Sequence, residues 1–530
     1  MCGILAVFGN RTPEDVQRLS KRMSHRGPDE SGVHVSPSGA ILCHERLSIV
    51  DLSTGRQPIQ GTNNAYVMHN GEIYNHVELR QGELKHHSFR TTCDSEVIVH
   101  LYEEYGYDFC NKLRGIYSFV IVDDDLGKYM VARDPIGIKP LYYGKDAEDN
   151  MYFSSEMKSI ADQCVSFEAF PPGHYYTPET GLVKYYNPDW QDFKVAAKPI
   201  DYTELREALI DSTRVRLMSD VPLAVLLSGG LDSSLISSIT KRLLRGTNQE
   251  LHSFSVGLSH DAPDLIAARE VAEFIGTTHH EVLFSVEEGI KELEKIIWHI
   301  ESYDVTTIRA STPMYFLSKY ISNMGIKVVL SGEGADEVFG GYLYFHNAPS
   351  AEEFAKETVR RVNLLSTADC LRADKSTMAF GIEARVPFLD RRFLDVAMKI
   401  RPEDRMPNRA EGKMEKYVIR KAFDDKNDPF LPEKILWRQK EQFSDGVGYN
   451  WIDQIIAYCE KQVSDKEFAT AAERFPHNTP TTKEAFYFRT IFEKHYPQES
   501  AAKTVLKWVP KWQENTDPSG RANAVHSNKI

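Results

Sequence analysis

The sequence predicts two folds in series: a layered β-sheet sandwich flanked by helices, then an α/β unit built on a doubly wound, mostly parallel sheet. Three observations point there. Up to about residue 186, short apolar or alternating runs are separated by Asp/Gly turns, the pattern of paired strands. After residue 200 the pattern changes to repeated strand and helix units: 221–227, 233–244, 251–256, 264–275, 281–284, helices to 323, and 326–330. In the first of these units the apolar run 221–227 meets Ser228-Gly229-Gly230-Leu231-Asp232-Ser233-Ser234, and the helical spacing Leu235, Ile236, Ile239, Leu243 follows.

That glycine turn can cradle phosphate. Two glycines let backbone approach an anion, N–H groups at a helix start point one way, and serine hydroxyls add donors. The glycines alone also fit a tight turn. No G-x-x-x-x-G-K-[ST] occurs in the chain, so this is not a Walker A loop. Asp232 inside the loop would repel a triphosphate unless Mg²⁺ lay between them, which implies Mg-ATP with its β,γ-phosphates held as leaving group. The seven residues resemble the pyrophosphate loop of the ATP-pyrophosphatase families, which release pyrophosphate and place AMP on a substrate oxygen.

A chain of 530 residues is too long for one ordinary core. Its 42% hydrophobic content, with 25 Tyr and 26 Phe, is ample for packed domains. A net charge of −13 argues against nucleic acid or membrane surfaces as partners and favours small molecules. Seven cysteines without a C-x-x-C pair suit a reducing compartment and give no zinc framework. With no signal-like start and no apolar run near the ~20 residues of a membrane span, the expected setting is the cytoplasm.

The first region opens with Cys2 on a short apolar strand. A thiolate there, with a free α-amine of pKa near ~8 as its base once Met1 is removed, is a nucleophile. A helix starting at Thr12-Pro13, with Val16, Leu19 and Met23 on one face, runs to Gly27. Asn70-Gly71 can offer a side-chain amide and a backbone N–H to one oxyanion. Arg46 can hold an α-carboxylate, and Glu72 or Asp94 an α-ammonium. Together these describe a glutamine amidohydrolase. Asp94 opens a helix with Val97, Ile98, Leu101 and Tyr105 on one side, and strands are expected over 117–122, 129–132 and 151–154. The turn Arg133 to Pro140 reads as structural or as a domain contact.

Cys2-Gly3-Ile4, His25-Arg26-Gly27-Pro28-Asp29, Arg46-Leu47-Ser48-Ile49-Val50-Asp51 and Asn70-Gly71-Glu72-Ile73-Tyr74-Asn75 resemble the N-terminal-nucleophile (class II) glutamine amidotransferase domain over residues 2–186. The resemblance implies that family's layered sandwich, Cys2 as nucleophile, Asn70 and Gly71 as oxyanion hole, and Arg46, Leu47, Ser48, Ile49, Val50, Asn70, Gly71, Glu72 and Asp94 against glutamine.

Residues 187–200 lose the strand pattern and read as a linker, and 201–530 as the second domain, beginning with a helix whose Leu205, Ala208 and Leu209 turn inward and ending in a tail from about 505. Ligands of such sheets sit beyond the carboxyl ends of strands. Three ends carry Ser228 to Ser234, Ser255-Val256-Gly257 and Ser331-Gly332-Glu333-Gly334-Ala335-Asp336-Glu337. The acids of the last crowd any bound triphosphate unless Mg²⁺ intervenes or one is protonated. These stretches, with those at 303–311, 385–390 and 437–446, resemble the synthetase domain of glutamine-dependent asparagine synthetases; Ala335 stands where many relatives have serine. The resemblance implies ATP at Leu226, Ser228, Gly229, Gly230, Asp232, Ser233, Val256, Ser331, Gly332 and Lys440, Mg²⁺ at Asp232 and Asp336, aspartate near Thr307 and Arg309, and Glu333 in the adenylation step. Residues 399–436 offer little chemistry.

The expected activity is therefore glutamine-dependent asparagine synthesis through β-aspartyl-AMP, with aspartate, ATP and glutamine or ammonia as substrates and AMP and pyrophosphate as products. Ammonia in neutral water is mostly protonated, so an apolar passage between the domains is expected. The alternatives are a structural or regulatory protein that keeps the fold without activity, against which Cys2, Asn70-Gly71, Asp232 and Asp336 together argue, and an amidating or cyclising synthetase on the same scaffold, such as a β-lactam synthetase. Such relatives lack the N-terminal cysteine present here. A homodimer is compatible with this reading.

Overall fold

The computed structural model describes residues 2–440, 443–448 and 450–514. In the first region two six-stranded antiparallel sheets lie face to face. Strand Cys2–Phe8 lies inside one of them, paired with Ala40–Arg46 on one side and Met151–Ser154 on the other. In the second, Ala65–Ile73 pairs with Gly115–Asp123, which pairs with Lys128–Arg133. Alternation fixes what each face meets. Ile4, Ala6 and Leu42 meet Met68, Val120 and Val131 between the sheets. On the outer faces, Leu5 and Val7 pack with Val16 and Leu19 of helix Pro13–Ser20, and Val67 and Ile121 with helix Glu96–Tyr105. Thr12 caps the first helix by accepting the Asp15 N–H at 3.2 Å, with Pro13 at its first position. In the second, Val97, Ile98 and Leu101 are buried as the spacing predicts, whereas Tyr105, at the helix end, is exposed with Lys112 above its ring.

The second region holds a five-stranded sheet, parallel throughout, in the order Thr278–Leu283, His252–Gly257, Leu223–Leu226, Val328–Leu330, Glu383–Arg385. Both faces are covered. Leu223, Val225, Val328 and Leu330 share a core with helices Leu231–Leu243 and Pro263–Ile275, while Ala224, Leu226 and Val329 share the other with Val286–Ile300 and Val305–Asn323. Strand order reverses between Leu223–Leu226 and Val328–Leu330, which opens the crevice where such sheets take ligands. Strand Glu383–Arg385 was not anticipated. It is three residues long, and its two charged side chains pair with each other in the interior, Arg385 Nε to Glu383 Oε1 at 2.5 Å.

Two segments are more tightly held than their composition suggests. In 187–200, Trp190 is buried in the core that contains Leu205, and Lys198 exchanges backbone hydrogen bonds with Lys399 and Arg401. The tail expected from about 505 is packed as far as the described residues go. Val505 is buried, Trp508 N–H donates to Asp304 at 3.0 Å, and Trp508 stacks edge-on against Tyr342. The loose stretch expected at 517–520 lies outside the described residues.

The turn Arg133 to Pro140 is a domain contact. Within the turn Asp134 accepts four N–H bonds, from Ile136, Gly137, Ile138 and Lys139, which fixes it and sends Lys139 Nζ to Asp374 at 3.2 Å. A second buried junction is Asp390, which accepts from Arg114 of the first region at 3.0 and 3.1 Å and from Arg216 at 2.8 Å. Burial alone would raise the Asp390 pKa, but Arg216 and Arg114 hold it down to about 2, below the ordinary 3.8. Asp390→Asn leaves buried Arg216 without its anion and Arg114 with Asp211 alone, a loss of about 3–5 kcal/mol. Because the folded pKa is depressed, this advantage is full above pH 3.8 and fades as pH falls through about 2. Urea unfolding of both proteins against pH is expected to show the gap at neutral pH and its closure in acid.

Candidate active sites

The first site forms where the two sheets meet at Cys2. Cys2 N–H donates to Asn70 Oδ1 at 3.0 Å, which orients the amide so that Nδ2 faces Ser155 Oγ at 3.5 Å. Gly71 follows with φ +146°, and a Cβ there would lie 1.8 Å from the Ile116 carbonyl oxygen, so only glycine fits beside the nucleophile's partner. Burial pushes the Cys2 thiol above its ordinary pKa, while the Leu47 N–H and Arg46 pull it down. A thiol so placed needs a base to become a nucleophile.

Around it, Arg46 donates to Glu30 at 2.6 Å and to the Asp51 carbonyl at 2.5 Å, so much of this guanidinium is committed within the loop 46–51. Ser48 N–H is held by Asp29 at 2.7 Å, and Leu47, Ser48 and Ile49 are buried, with Val50 partly so. Asp94 accepts the Ile73 N–H at 2.7 Å. Glu72 is buried with Oε2 lacking a hydrogen-bond partner and with Arg385 Nη2 3.6 Å from Oε1. Burial, then Glu383 and Asp94, push its pKa well up.

Sequence reading missed the residue that braces this site. Arg26 is fully buried and donates Nε to the Cys2 carbonyl at 3.0 Å, Nη1 to Glu156 at 2.8 Å, and pairs through Nη2 with Asp374 of the second region at 2.9 Å. It stands in the quoted His25 to Asp29 stretch, but nothing local reveals that its two acidic partners, Glu156 and Asp374, are 130 and more residues away.

The second site is the crevice at the sheet's switch point, with ≈ 1390 Å³ of atom-free space including its mouth. Ser228 N–H and Oγ bond Ser233 Oγ at 3.1 and 3.0 Å, closing the loop, and the first N–H groups of helix Leu231–Leu243 have no intrahelical acceptor. A Cβ on Gly332 would meet Ser233 N at 2.6 Å, so the ends of two neighbouring strands close on each other. Leu226, Val256, Ser228, Gly230, Asp232, Ser233, Ser331, Gly332, Glu333, Asp336, Thr307 and Lys440 all face the crevice.

Two expected residues do not. Gly229 packs its backbone on helix Pro263–Ile275 instead. Arg309 turns away, its guanidinium doubly bonded to buried Glu484 at 2.9 and 2.6 Å. The helix places Thr307 and Ala310 on the crevice face and Arg309 off it.

The charges converge. Lys416 Nζ bonds Asp232 and lies 2.6 Å from Asp336 Oδ1, and Lys440 Nζ donates to Asp336 Oδ2 at 2.8 Å. Burial works against the Asp336 carboxylate, but Lys416 and Lys440 hold its pKa well below the usual range. Asp232 Oδ1 is buried without a hydrogen-bond partner, an acceptor that fits a divalent cation between these two carboxylates. Glu333 accepts from Arg372 at 2.8 Å; burial raises its pKa and Arg372 opposes the rise. Lys416 lies in the stretch that seemed chemically silent, and Trp508 of the expected tail lines the same crevice. A lone lysine between Glu415 and Tyr417 carries no sequence signal; only folding brings it 184 positions back to Asp232.

Comparison with known proteins gives the lineage. The glutamine amidotransferase domain family matches residues 1–176, and the asparagine synthase family matches residues 204–358 and 347–517. The chain is 52% identical to asparagine synthetase [glutamine-hydrolyzing] 1 of Arabidopsis thaliana, covering 98% of this chain and 93% of that one. It is 51% identical to the root asparagine synthetase [glutamine-hydrolyzing] of Pisum sativum, covering 98% and 94%. Among solved structures, glutamine phosphoribosylpyrophosphate amidotransferase from B. subtilis is a distant likeness, 18% identical with a TM-score of 0.32 over 54% of this chain and 91% of that one. With identity of this degree along nearly its whole length, the chain belongs to the glutamine-hydrolysing asparagine synthetases.

Proposed function

We propose that residues 2–186 release ammonia from glutamine and that residues 201–530, joined through 187–200, use ATP to activate aspartate as β-aspartyl-AMP, which ammonia converts to asparagine. AMP and pyrophosphate leave. The observation that carries this reading is the pairing of two unlike sites: a thiol beside Asn70 and Gly71, and a serine-glycine loop beside Asp232 and Asp336.

At the first site Cys2 attacks the glutamine amide, Asn70 Nδ2 and the Gly71 N–H receive the oxyanion, and Arg46 with Glu72 or Asp94 clamps the amino-acid end. A freed α-amine on Cys2, held by Asn70 Oδ1, takes the thiol proton. At the second site the loop N–H groups, Lys416 and Lys440 bind the β,γ-phosphates, which draws the lysines off the carboxylates. Mg²⁺ held by Asp232 and Asp336 would supply charge neutralisation for the leaving pyrophosphate. Thr307 stands where aspartate would lie. Glu333 has two readings: it takes a proton when ammonia attacks, or it acts earlier, at adenylation. Its contact with Arg372 supports an orienting part in either. Cytosolic location and a homodimer belong to the same reading.

Cys2→Ala is expected to cut glutamine-dependent synthesis about a thousand-fold or more, while synthesis from ammonium salts persists. Loss of both in a folded variant would end the division of labour. Glu333→Gln is expected to bind ATP yet lose about 100- to 10,000-fold of asparagine formation. Exchange of pyrophosphate into ATP with aspartate present then separates the readings: it survives if Glu333 is the base and vanishes if Glu333 serves adenylation. Full synthetic rate in this variant would contradict both.

A further inference from the structure

Away from both sites, on the outer layer of the first region, three imidazoles meet three carboxylates. His86 Nε2 and His87 Nε2 each lie 2.8 Å from the same oxygen, Glu104 Oε1, and the two rings are 4.7 Å apart. Behind them His100 Nδ1 bonds Glu103 at 2.8 Å, and its Nε2 lies 3.4 Å from Glu96. His87 Nδ1 faces Glu103 at 3.7 Å and Thr62 Oγ1 at 3.3 Å. The set comes from two elements: the turn after helix His76–Gln81 supplies His86 and His87, and helix Glu96–Tyr105 presents His100, Glu103 and Glu104 at one-turn spacing.

The inner carboxylates have further partners: Glu96 accepts from the Arg90 and Thr91 N–H groups with Arg80 3.8 Å away, and Glu103 accepts from the Asn63 N–H, whereas Glu104 on the outer side is shared by His86 and His87. A divalent ion bound by the two Nε2 atoms and Glu104, each imidazole keeping its one proton on Nδ1, would take the place of the two shared hydrogen bonds and offset negative charge. Little movement is needed, because the three ligand atoms already lie within 4.8 Å of one another, and donors on a tetrahedral ion with bonds of ~2.0–2.1 Å stand about 3.3 Å apart. The outer side is open, since His86 is 56% and Glu104 35% exposed, so an ion can enter and keep water as its further ligand.

We propose that His86, His87 and Glu104 form a binding site for a divalent transition-metal ion of the zinc class, a set of imidazole and carboxylate donors suited to Zn²⁺ rather than to Mg²⁺. His100 and Glu103 form its inner wall. Bound metal ties the turn carrying His86 and His87 to the helix that follows Asp94. Ligation needs unprotonated imidazoles, so acid weakens binding.

The test uses the full, tag-free chain in a Cys2→Ala background, so that the thiol does not compete, after removal of metal by chelator. Zn²⁺ is titrated calorimetrically, and Co²⁺ by the visible bands of a low-coordinate ion. Expected are one equivalent bound at neutral pH, weaker binding in acid, and a Zn²⁺-induced rise in melting temperature. In His87→Gln and in Glu104→Gln the affinity should fall about ten-fold or more, the loss that even outer partners of a metal site produce, and the melting shift should disappear while the metal-free melts match the parent. Absence of saturable one-equivalent binding, or variants that bind as tightly as the parent, would overturn the site.

Discussion

Everything at the synthetase crevice depends on one balance of charge. Asp232 and Asp336 are drawn from the ends of two strands on either side of the sheet's switch point, and neither carboxylate is tolerable there alone. Lys416 bridges them and Lys440 takes the remaining oxygen of Asp336, so both carboxylates sit against cations. The same lysines are the cations that a triphosphate would recruit. The fold has to deliver four residues from four segments to within bonding distance. The parallel sheet delivers two of them. The left-handed backbone at Lys416, φ 60°, and its burial deliver the third.

The two sites are joined by the strand that sequence reading did not find. Arg385 reaches Glu72 of the first site with its side chain, while its carbonyl accepts the Ser331 N–H of the second at 2.9 Å. The interface around it differs from a simple apolar passage. Ile49, Tyr74, Ile116, Ile136 and Ile138 of the first region do share a core with Leu330, Val386 and Leu389 of the second. Beside them run buried ion pairs: Arg26 and Lys139 on Asp374, and Lys158 and Lys375 on Glu301, which also accepts the Met157 and Lys158 N–H groups. Such pairs fix the relative position of the two halves, because separating them strands charges in the interior.

What was legible in the sequence follows from what is local. Strands and helices with apolar alternation, the glycine loop at Ser228 and the acid-bearing strand end at Ser331 are written in consecutive residues, and the structure has them within a few positions. Strand Glu383–Arg385 was not legible because three residues with two charges have no periodicity to read. Lys416, Arg372, Arg26 and Trp508 were not legible because each acts on partners far along the chain. Arg309 illustrates the converse: it sits in a quoted motif, yet a one-residue step along a helix turns it by about 100° and hands it to Glu484. Trp190 and Trp508, in stretches that looked like linker and tail, are held by aromatic burial that a composition of Asn, Pro, Asp and Lys conceals.

The central claim is that the crevice cleaves ATP to AMP and pyrophosphate by attack of the aspartate side-chain carboxylate on the α-phosphorus. Aspartate carrying ¹⁸O in that carboxylate, turned over with ATP and glutamine, tests it directly. The account predicts one labelled oxygen in the phosphate of AMP for each asparagine formed and none in the pyrophosphate. Label appearing in inorganic phosphate with ADP as co-product, or AMP free of label, would contradict it.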